Sequence, residues 1–415
     1  MPSSKISSRA FFTPRKATCV FIVFIWLLFY HLPSPPVTQN NTRAGRPSPK
    51  NQAEERPHFL FRSPFRKSPD LKYEQEISNA LERLAQVVLS RNHGNSISEE
   101  RIWQVALGDG MRSADSQEFE ARNDEWAYTV FHDQKATEFV TTELSTIPDI
   151  ADAYNSYPHH VLRADLLRYL LLWYYGGFYA DMDVFPARSI KSCSALRSFF
   201  PTSKDSIENS SPNVSLVVGV EVDEPYASPQ FMRDWHWTRS YGLIQYTMYA
   251  PRRFSPLLRE AIVHVLSHTR EHRKSHGGLF WSATYDEKTV LGVTGPDVFT
   301  DSILDTLSSS LPENHTLIQQ SIAADAGIND LVSETGEGLK QVSWAPFHRV
   351  QDPICVQDHE HINGQSHGGL CVLPVSVWGN GQRHSQAGGF NDISACINHR
   401  FGRTWKKGWW EYLFG

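Results

Sequence analysis

Residues 161–175 read VLRADLLRYLLLWYY, an apolar run interrupted only by Arg163, Asp165 and Arg168 and closed by Gly176-Gly177. Apolar residues on nearly every side predict a helix buried all round, and the glycine pair is a C-terminal stop. Charges inside such a helix require partners. Asp165 and Arg168 are three apart and share a face, whereas Arg163 points elsewhere, so an internal ion pair bracing the helix is one reading. The next residues, 178–180, predict a brief strand that delivers Asp181-Met182-Asp183 at its carboxyl end. Alternate residues of a strand share a face, which lets both carboxylates hold a divalent cation through oxygen ligands. Two acids at that spacing are common on surfaces, so the pair acquires meaning only from its surroundings.

Helical spacing of Leu71, Ile77, Leu81, Leu84, Val87 and Val88 predicts an amphipathic helix over 70–91. Strands are expected at 100–107, 126–132, 215–222 and 372–377, and helices at 134–144, 256–268 and 298–308. Strands alternating with helices predict an α/β fold with a mostly parallel central sheet. Ligands of such sheets bind beyond the carboxyl ends of strands, where the Asp pair falls. No internal repeat is present.

Residues 17–32 carry no charge apart from a titrating His31, and Lys5, Arg9, Arg15 and Lys16 precede them without an acid. This predicts a single transmembrane anchor at 17–32 with a cytosolic tail, 1–16, and the rest of the chain on the far side. A cleaved signal peptide is the alternative, though no small-x-small site follows. Residues 33–69 hold eight prolines and little apolar periodicity, and read as a flexible stem. The body is then 70–415. The chain carries −5 overall, of which the tail contributes +4 and the stem +5, leaving the body at −14. A body so acidic is a poor partner for nucleic acid. Sequons at Asn40, Asn209, Asn213 and Asn314 are compatible with a lumenal body. Cys193, Cys355, Cys371 and Cys396 allow up to two disulfides there, with three connectivities open and a bridge among the last three favoured.

Arg163-x-Asp165-x-x-Arg168-Tyr169, the apolar run, and Gly176-Gly177-x-Tyr179-x-Asp181-x-Asp183 closely resemble the sugar-binding region of retaining glycosyltransferases of the family 32 type. Arg101-Ile102-Trp103-Gln104, WAYTVFHDQKA, SLVVGVEVDE, Gln245-Tyr246-Thr247, VTGPDVFTDSIL, VLPVSVW and the segment from His399 to Lys406 follow in that family's order. The set, over roughly 97–407, is similar to the fungal initiation-specific α-1,6-mannosyltransferase branch. The resemblance implies a GT-A-type nucleotide-sugar-binding fold and a Golgi type II membrane enzyme. It further implies transfer of a hexose, mannose from GDP-mannose, to a glycan or glycoprotein acceptor in N-glycan outer-chain mannosylation. It implies Mn²⁺, with Mg²⁺ as the alternative, held by Asp183 directly, by Asp181 through water, and by His399 near the diphosphate. Asp165, Arg168 and Asp181 match donor contacts, and Trp103 a base-stacking aromatic, with a core position on a buried strand as the alternative; Glu221 and Asp223 follow a strand expected to flank the donor and are candidates for sugar or acceptor contact. No protein nucleophile is assigned. Phe131-His132-Asp133 in place of the family's aromatic-Thr-Asp, and an insertion around Gly364 to Gly369, depart from the pattern. Thr294-Gly295-Pro296 is expected to offer a helix N-terminus to phosphate or acceptor, or to form a plain turn.

Two other classes fit parts of this pattern. Asp181-x-Asp183 resembles a phosphatase nucleophile motif, but that motif normally ends the first strand of its domain, whereas here it comes some eighty residues after the start of the first expected strand and lacks the later acid pair. A catalytically silent, membrane-anchored sugar-binding or scaffold protein on the same fold is the second.

Overall fold

The computed structural model describes residues 63–108, 111–200, 212–277, 283–325, 340–358 and 366–400. The expected anchor, nearly all of the expected stem, and residues 401–407 of the resemblance lie outside them. Among the described residues no helix is long and apolar enough to cross a membrane.

The chain opens with α1 (Leu71–Arg91), capped by Asp70, whose carboxylate accepts from Tyr73 N at 3.1 Å. β1 (Arg101–Val105), α2 (Ala114–Arg122) and β2 (Ala127–Phe131) follow. α3 (Asp133–Glu138) passes into a π-helical turn, Phe139–Glu143, so the helix expected over 134–144 is only partly α-helical. α4 (Pro148–Ser156) leads to α5 (His160–Tyr175), the apolar helix anticipated from its sequence. Gly176 and Gly177 then reverse the chain at φ +67° and +91°. A Cβ on Gly177 would lie 2.6 Å from the Arg101 carbonyl oxygen, so this turn requires glycine.

β3 (Gly177–Ala180), β4 (Val184–Pro186), β5 (Leu216–Asp223), β6 (Tyr241–Leu243) and β7 (Thr247–Ala250) come next. Three long-range helices, α6 (Pro256–His276), α7 (Glu287–Val293) and α8 (Pro296–Ser310), precede β8 (Ile354–Val356) and β9 (Leu370–Leu373). The expected strand at 372–377 stops at Leu373. Pro374 has no N–H to donate, and the chain turns into a short helix, Val375–Trp378, before β10 (Ile397–His399).

The main sheet runs β2-β1-β3-β7-β5-β9-β8, with β6 beside β5, and β10 pairs with β4 in a separate ribbon. β1, β2, β3, β5 and β9 point one way; β7 is inserted in reverse between β3 and β5. The sheet is therefore mostly parallel by strand direction, with antiparallel members. Its two faces feed two cores in strict alternation. Trp103, Tyr179, Val218 and Met248 join the helical core with α1, α5, α6 and α8. Ile102, Phe178, Val217 and Tyr249 join the opposite core with Phe119, Trp126 and Trp378.

Disulfides link Cys193 to Cys396 and Cys355 to Cys371. The first fastens the approach to β10, and hence to His399, onto the segment after β4.

Candidate active site

The Asp181-Met182-Asp183 segment is a turn between β3 and β4 rather than the strand continuation expected for two carboxylates on one strand face. Its backbone is held on several sides. Asp181 N donates to the Tyr246 carbonyl at 2.8 Å, Gln104 Nε2 donates to the Asp181 carbonyl at 3.1 Å, and Ser113 Oγ donates to the Met182 carbonyl. Arg400 N closes the turn on the Asp183 carbonyl at 3.1 Å.

Arg168 is the hub. Its Nη2 lies 2.9 Å from Asp165 Oδ1 and 3.2 Å from Asp181 Oδ1. Asp165 Oδ2 also accepts from Thr294 Oγ1 at 2.8 Å. Burial pushes the Asp165 carboxyl up to about 7, against the pull of Arg168 and Thr294. Burial works against the Arg168 charge too, but Asp181, Tyr179 and Asp165 outweigh it and hold the guanidinium protonated. Burial likewise raises the Asp181 carboxyl, opposed by Arg168. Its Oδ1 accepts a 2.7 Å bond from Tyr179 Oη, a contact that the sequence pattern did not single out.

Asp183 differs from Asp181. His399 Nε2 lies 3.0 Å from its Oδ1, and despite partial burial this imidazole draws the Asp183 carboxyl below its ordinary range. The His399 ring is stacked on Tyr246, 4.2 Å between centroids and 8° from parallel. β10 thus brings an imidazole from the far end of the described chain to the D-x-D turn. Among the described residues no three acids, imidazoles or thiols are grouped to enclose a metal. Asp181 is turned toward Arg168 and Tyr179, so the three-residue set Asp181, Asp183 and His399 is not a closed cage. The Asp183–His399 pair fits a divalent ion as two ligands on one side, a carboxylate oxygen and a nitrogen, leaving its other positions for oxygen donors of a ligand.

Glu221, on β5, lines the same cleft, and crowding by surrounding atoms pushes its carboxyl up to about 7. Two expected contacts are not brought there. Trp103 is 6% exposed, its Nε1 donates to the Gly176 carbonyl at 2.7 Å, and it stacks on Tyr175. Strand alternation turns it into the helical core, where it secures the glycine turn instead of a nucleobase. Asp223 is 8% exposed and accepts 2.7 Å bonds from His348 Nδ1 and Arg349 N, so it is a loop anchor outside the cleft lining. The N-terminus of α8 does reach the cleft, where Gly295, Pro296 and Asp297 are part of the lining; Thr294 Oγ1 serves Asp165, and the buried Asp297 carboxylate accepts from Thr238 Oγ1 at 2.6 Å.

These groups share one cleft of about 1040 Å³. Val105, Ala106, Leu107, His160, Val161 and Ala164 line an apolar end, the acids and Arg168 another part, and Trp235, Trp237 and His384 a further wall. The tryptophans and His384 carry no periodic sequence signal, because their partners are distant in the chain. An apolar slot beside a carboxylate-imidazole pair and a buried arginine defines a site for a charged, polyhydroxylated ligand.

Residues 112–200, which include this turn, match the family described as "Glycosyltransferase sugar-binding region containing DXD motif". The match covers the D-x-D turn and its approach, about a fifth of the chain. The chain is homologous to fungal initiation-specific α-1,6-mannosyltransferases. It is 23% identical to that of Candida albicans over 290 residues, 70% of this chain and 66% of the relative. It is 22% identical to that of Saccharomyces cerevisiae over 359 residues, 68% of this chain and 71% of the relative. A solved structure titled PaToxG Glycosyltransferase is 16% identical, with a TM-score of 0.32 over 56% of this chain and 79% of that one.

Proposed function

We propose that the chain is a metal-dependent retaining glycosyltransferase with a GT-A-type fold, moving mannose from GDP-mannose to a hydroxyl of a glycan acceptor. The observation that carries this reading is Arg168, pinned between Asp165 and Asp181 beside the Asp183–His399 pair. Asp165, Arg168 and Asp181 hold hydroxyls of the donor sugar, and the apolar end beside His160 and Val161 receives the nucleoside. Asp183 and His399 would hold Mn²⁺, with Mg²⁺ as the alternative; a mixed oxygen and nitrogen set favours Mn²⁺. When bound, the cation supplies positive charge to the leaving diphosphate. The acceptor oxygen forms a bond to the anomeric carbon as the bond to the diphosphate oxygen breaks on the same face, and the hydroxyl proton passes to the departing diphosphate. No side chain serves as nucleophile.

The charge pattern of residues 1–32, the sequons and two disulfides support a Golgi type II membrane enzyme with a lumenal body, acting in N-glycan outer-chain mannosylation. The test is a screen of the purified full chain against several nucleotide sugars, with and without EDTA. Release of nucleoside diphosphate from GDP-mannose, abolished by EDTA and restored by Mn²⁺, is the expected result. Binding without turnover of any donor would favour a silent sugar-binding protein.

A further inference from the structure

We propose that the cleft wall made by Trp235, Trp237 and His384 is a stacking platform for one pyranose ring of the acceptor. This rests on the glycosyltransferase reading. The two indoles are stacked at 5.6 Å and 24°, and the His384 ring stands edge-on to both, at 4.9 and 4.5 Å. All three line the same cleft as the acid cluster, and all three are part-exposed.

The platform is held in an unusual backbone. His236, between the tryptophans, has φ 56°, and Ser385 and Gln386, after His384, have φ 56° and 55°. Left-handed conformations cost free energy in residues with a Cβ, and the surrounding structure must over-determine them. Here it does. Buried Arg239 donates to the Asp297 carbonyl at 3.1 Å and pairs with Asp301, fixing the tryptophan loop to α8. Ser385 N donates to Glu224 Oε1 at 2.6 Å, and Ser385 Oγ accepts from Asp223 N at 2.8 Å, fixing the His384 loop to the end of β5. Asp223 thus acts on the cleft from behind.

The chemistry of the wall selects its ligand. Burial lowers the His384 imidazole to about 4, so at neutral pH the platform is an uncharged aromatic surface. A pyranose presents a face of C–H groups and a rim of hydroxyls. The rings suit the face, while Glu287, Arg383 and His236 in the same lining suit the rim. The donor's charged part has its own partners at Arg168, Asp183 and His399. Gln382, two residues before His384, donates to the Glu221 carbonyl at 3.3 Å, which joins the platform to the edge of the acid cluster. A cleft of about 1040 Å³ lies slightly above the range for a single small ligand, roughly 300–1,000 Å³.

The test uses the full chain, with transfer from GDP-mannose to methyl α-D-mannopyranoside measured beside donor hydrolysis by water. Trp237→Ala should raise the acceptor KM about tenfold or more, with donor KM and hydrolysis unchanged, and Trp237→Phe should recover most of the loss. Should Trp237→Ala fail to fold, saturation-transfer NMR on the wild-type chain decides: the mannoside's ring C–H protons should take saturation from aromatic protons, and Trp235→Leu should remove it. An unchanged acceptor KM with intact hydrolysis overturns the platform alone. A raised donor KM would mean that the indoles stack the nucleobase instead. No hydrolysis of any nucleotide sugar by the wild-type chain would remove the glycosyltransferase reading and the platform with it.

Discussion

Asp183 Oδ1 and His399 Nε2 lie 3.0 Å apart although 216 residues separate them. The contact exists because β10 pairs antiparallel with β4, setting His399 opposite Val184, the residue after Asp183. A carboxylate and an imidazole so placed are held in register by the backbone hydrogen bonds of the ribbon, and on the proposed reading they would be a pair of metal ligands.

Asp183→Ala should therefore lower turnover at least about a hundredfold, the scale on which one electrostatic group at a reaction centre counts. Its melting temperature should change modestly, since the side chain is part-exposed and gives up its bond to His399. Mn²⁺ titration calorimetry on the same protein should show the loss of a binding event. Full activity of this variant in EDTA would remove the metal from the mechanism.

Arg168→Met leaves Asp165 and Asp181 without their shared cation, and breaking a buried pair of this kind costs about 3–5 kcal/mol. Asp165→Leu combined with Arg168→Met removes one of those carboxylates as well, and should restore much of the stability. The double variant should still bind the free nucleoside diphosphate yet fail to transfer. Denaturant midpoints, nucleoside diphosphate affinity and turnover on the three proteins check this; a fully active double variant would reduce the helix motif to a brace.

His268 links acidity to stability. It is fully buried, stacked on Phe65 at 4.8 Å, and its Nδ1 donates to the Gly292 carbonyl at 2.8 Å. Burial lowers its imidazole from 6.5 to about 3. The folded state thus stays neutral where the unfolded chain takes up a proton. The stability this group contributes is present above about pH 6.5 and drains away as the pH falls toward 3, at up to about 1.4 kcal/mol per unit. His268→Asn keeps a donor for Gly292 and removes the titration. Urea midpoints between pH 4 and 7 should fall less steeply for the variant than for the wild type.

The two disulfides should separate stability from site geometry. Replacing Cys193 and Cys396 together by serine should cost about 2–4 kcal/mol and also raise the Mn²⁺ concentration for half-maximal turnover, because Cys396 precedes the strand that carries His399. Replacing Cys355 and Cys371 should lower the melting temperature with no change in that concentration.

Much of this architecture was legible because it is local. The helix at 160–175 follows from an apolar run and two glycines, and the D-x-D turn follows directly after it. What was not legible depends on strand alternation and distant partners. Trp103 sits on β1 with a parity that sends it to the core, and a single strand gives no sign of which face meets the ligand. Asp223 follows Glu221 by two, yet a bulge between Val220 and Val222 and the arrival of His348 and Arg349 separate their tasks. The expected strand at 372–377 failed at Pro374, where the missing donor outweighs the β-branched residues around it. The tryptophan platform is formed by rings 147 residues from His384 in the case of Trp237, and only folding brings them together.

The ribbon of β4 and β10 also sets an order of events. A chain made from its N-terminus has the whole sheet up to β9 available while residue 399 is still unsynthesised, and until that strand arrives Asp183 has no imidazole beside it. Closure of the Cys193–Cys396 bond, across 203 residues, can only follow. The Asp183–His399 contact is thus a late event, formed only once β10 has been made and has paired with β4.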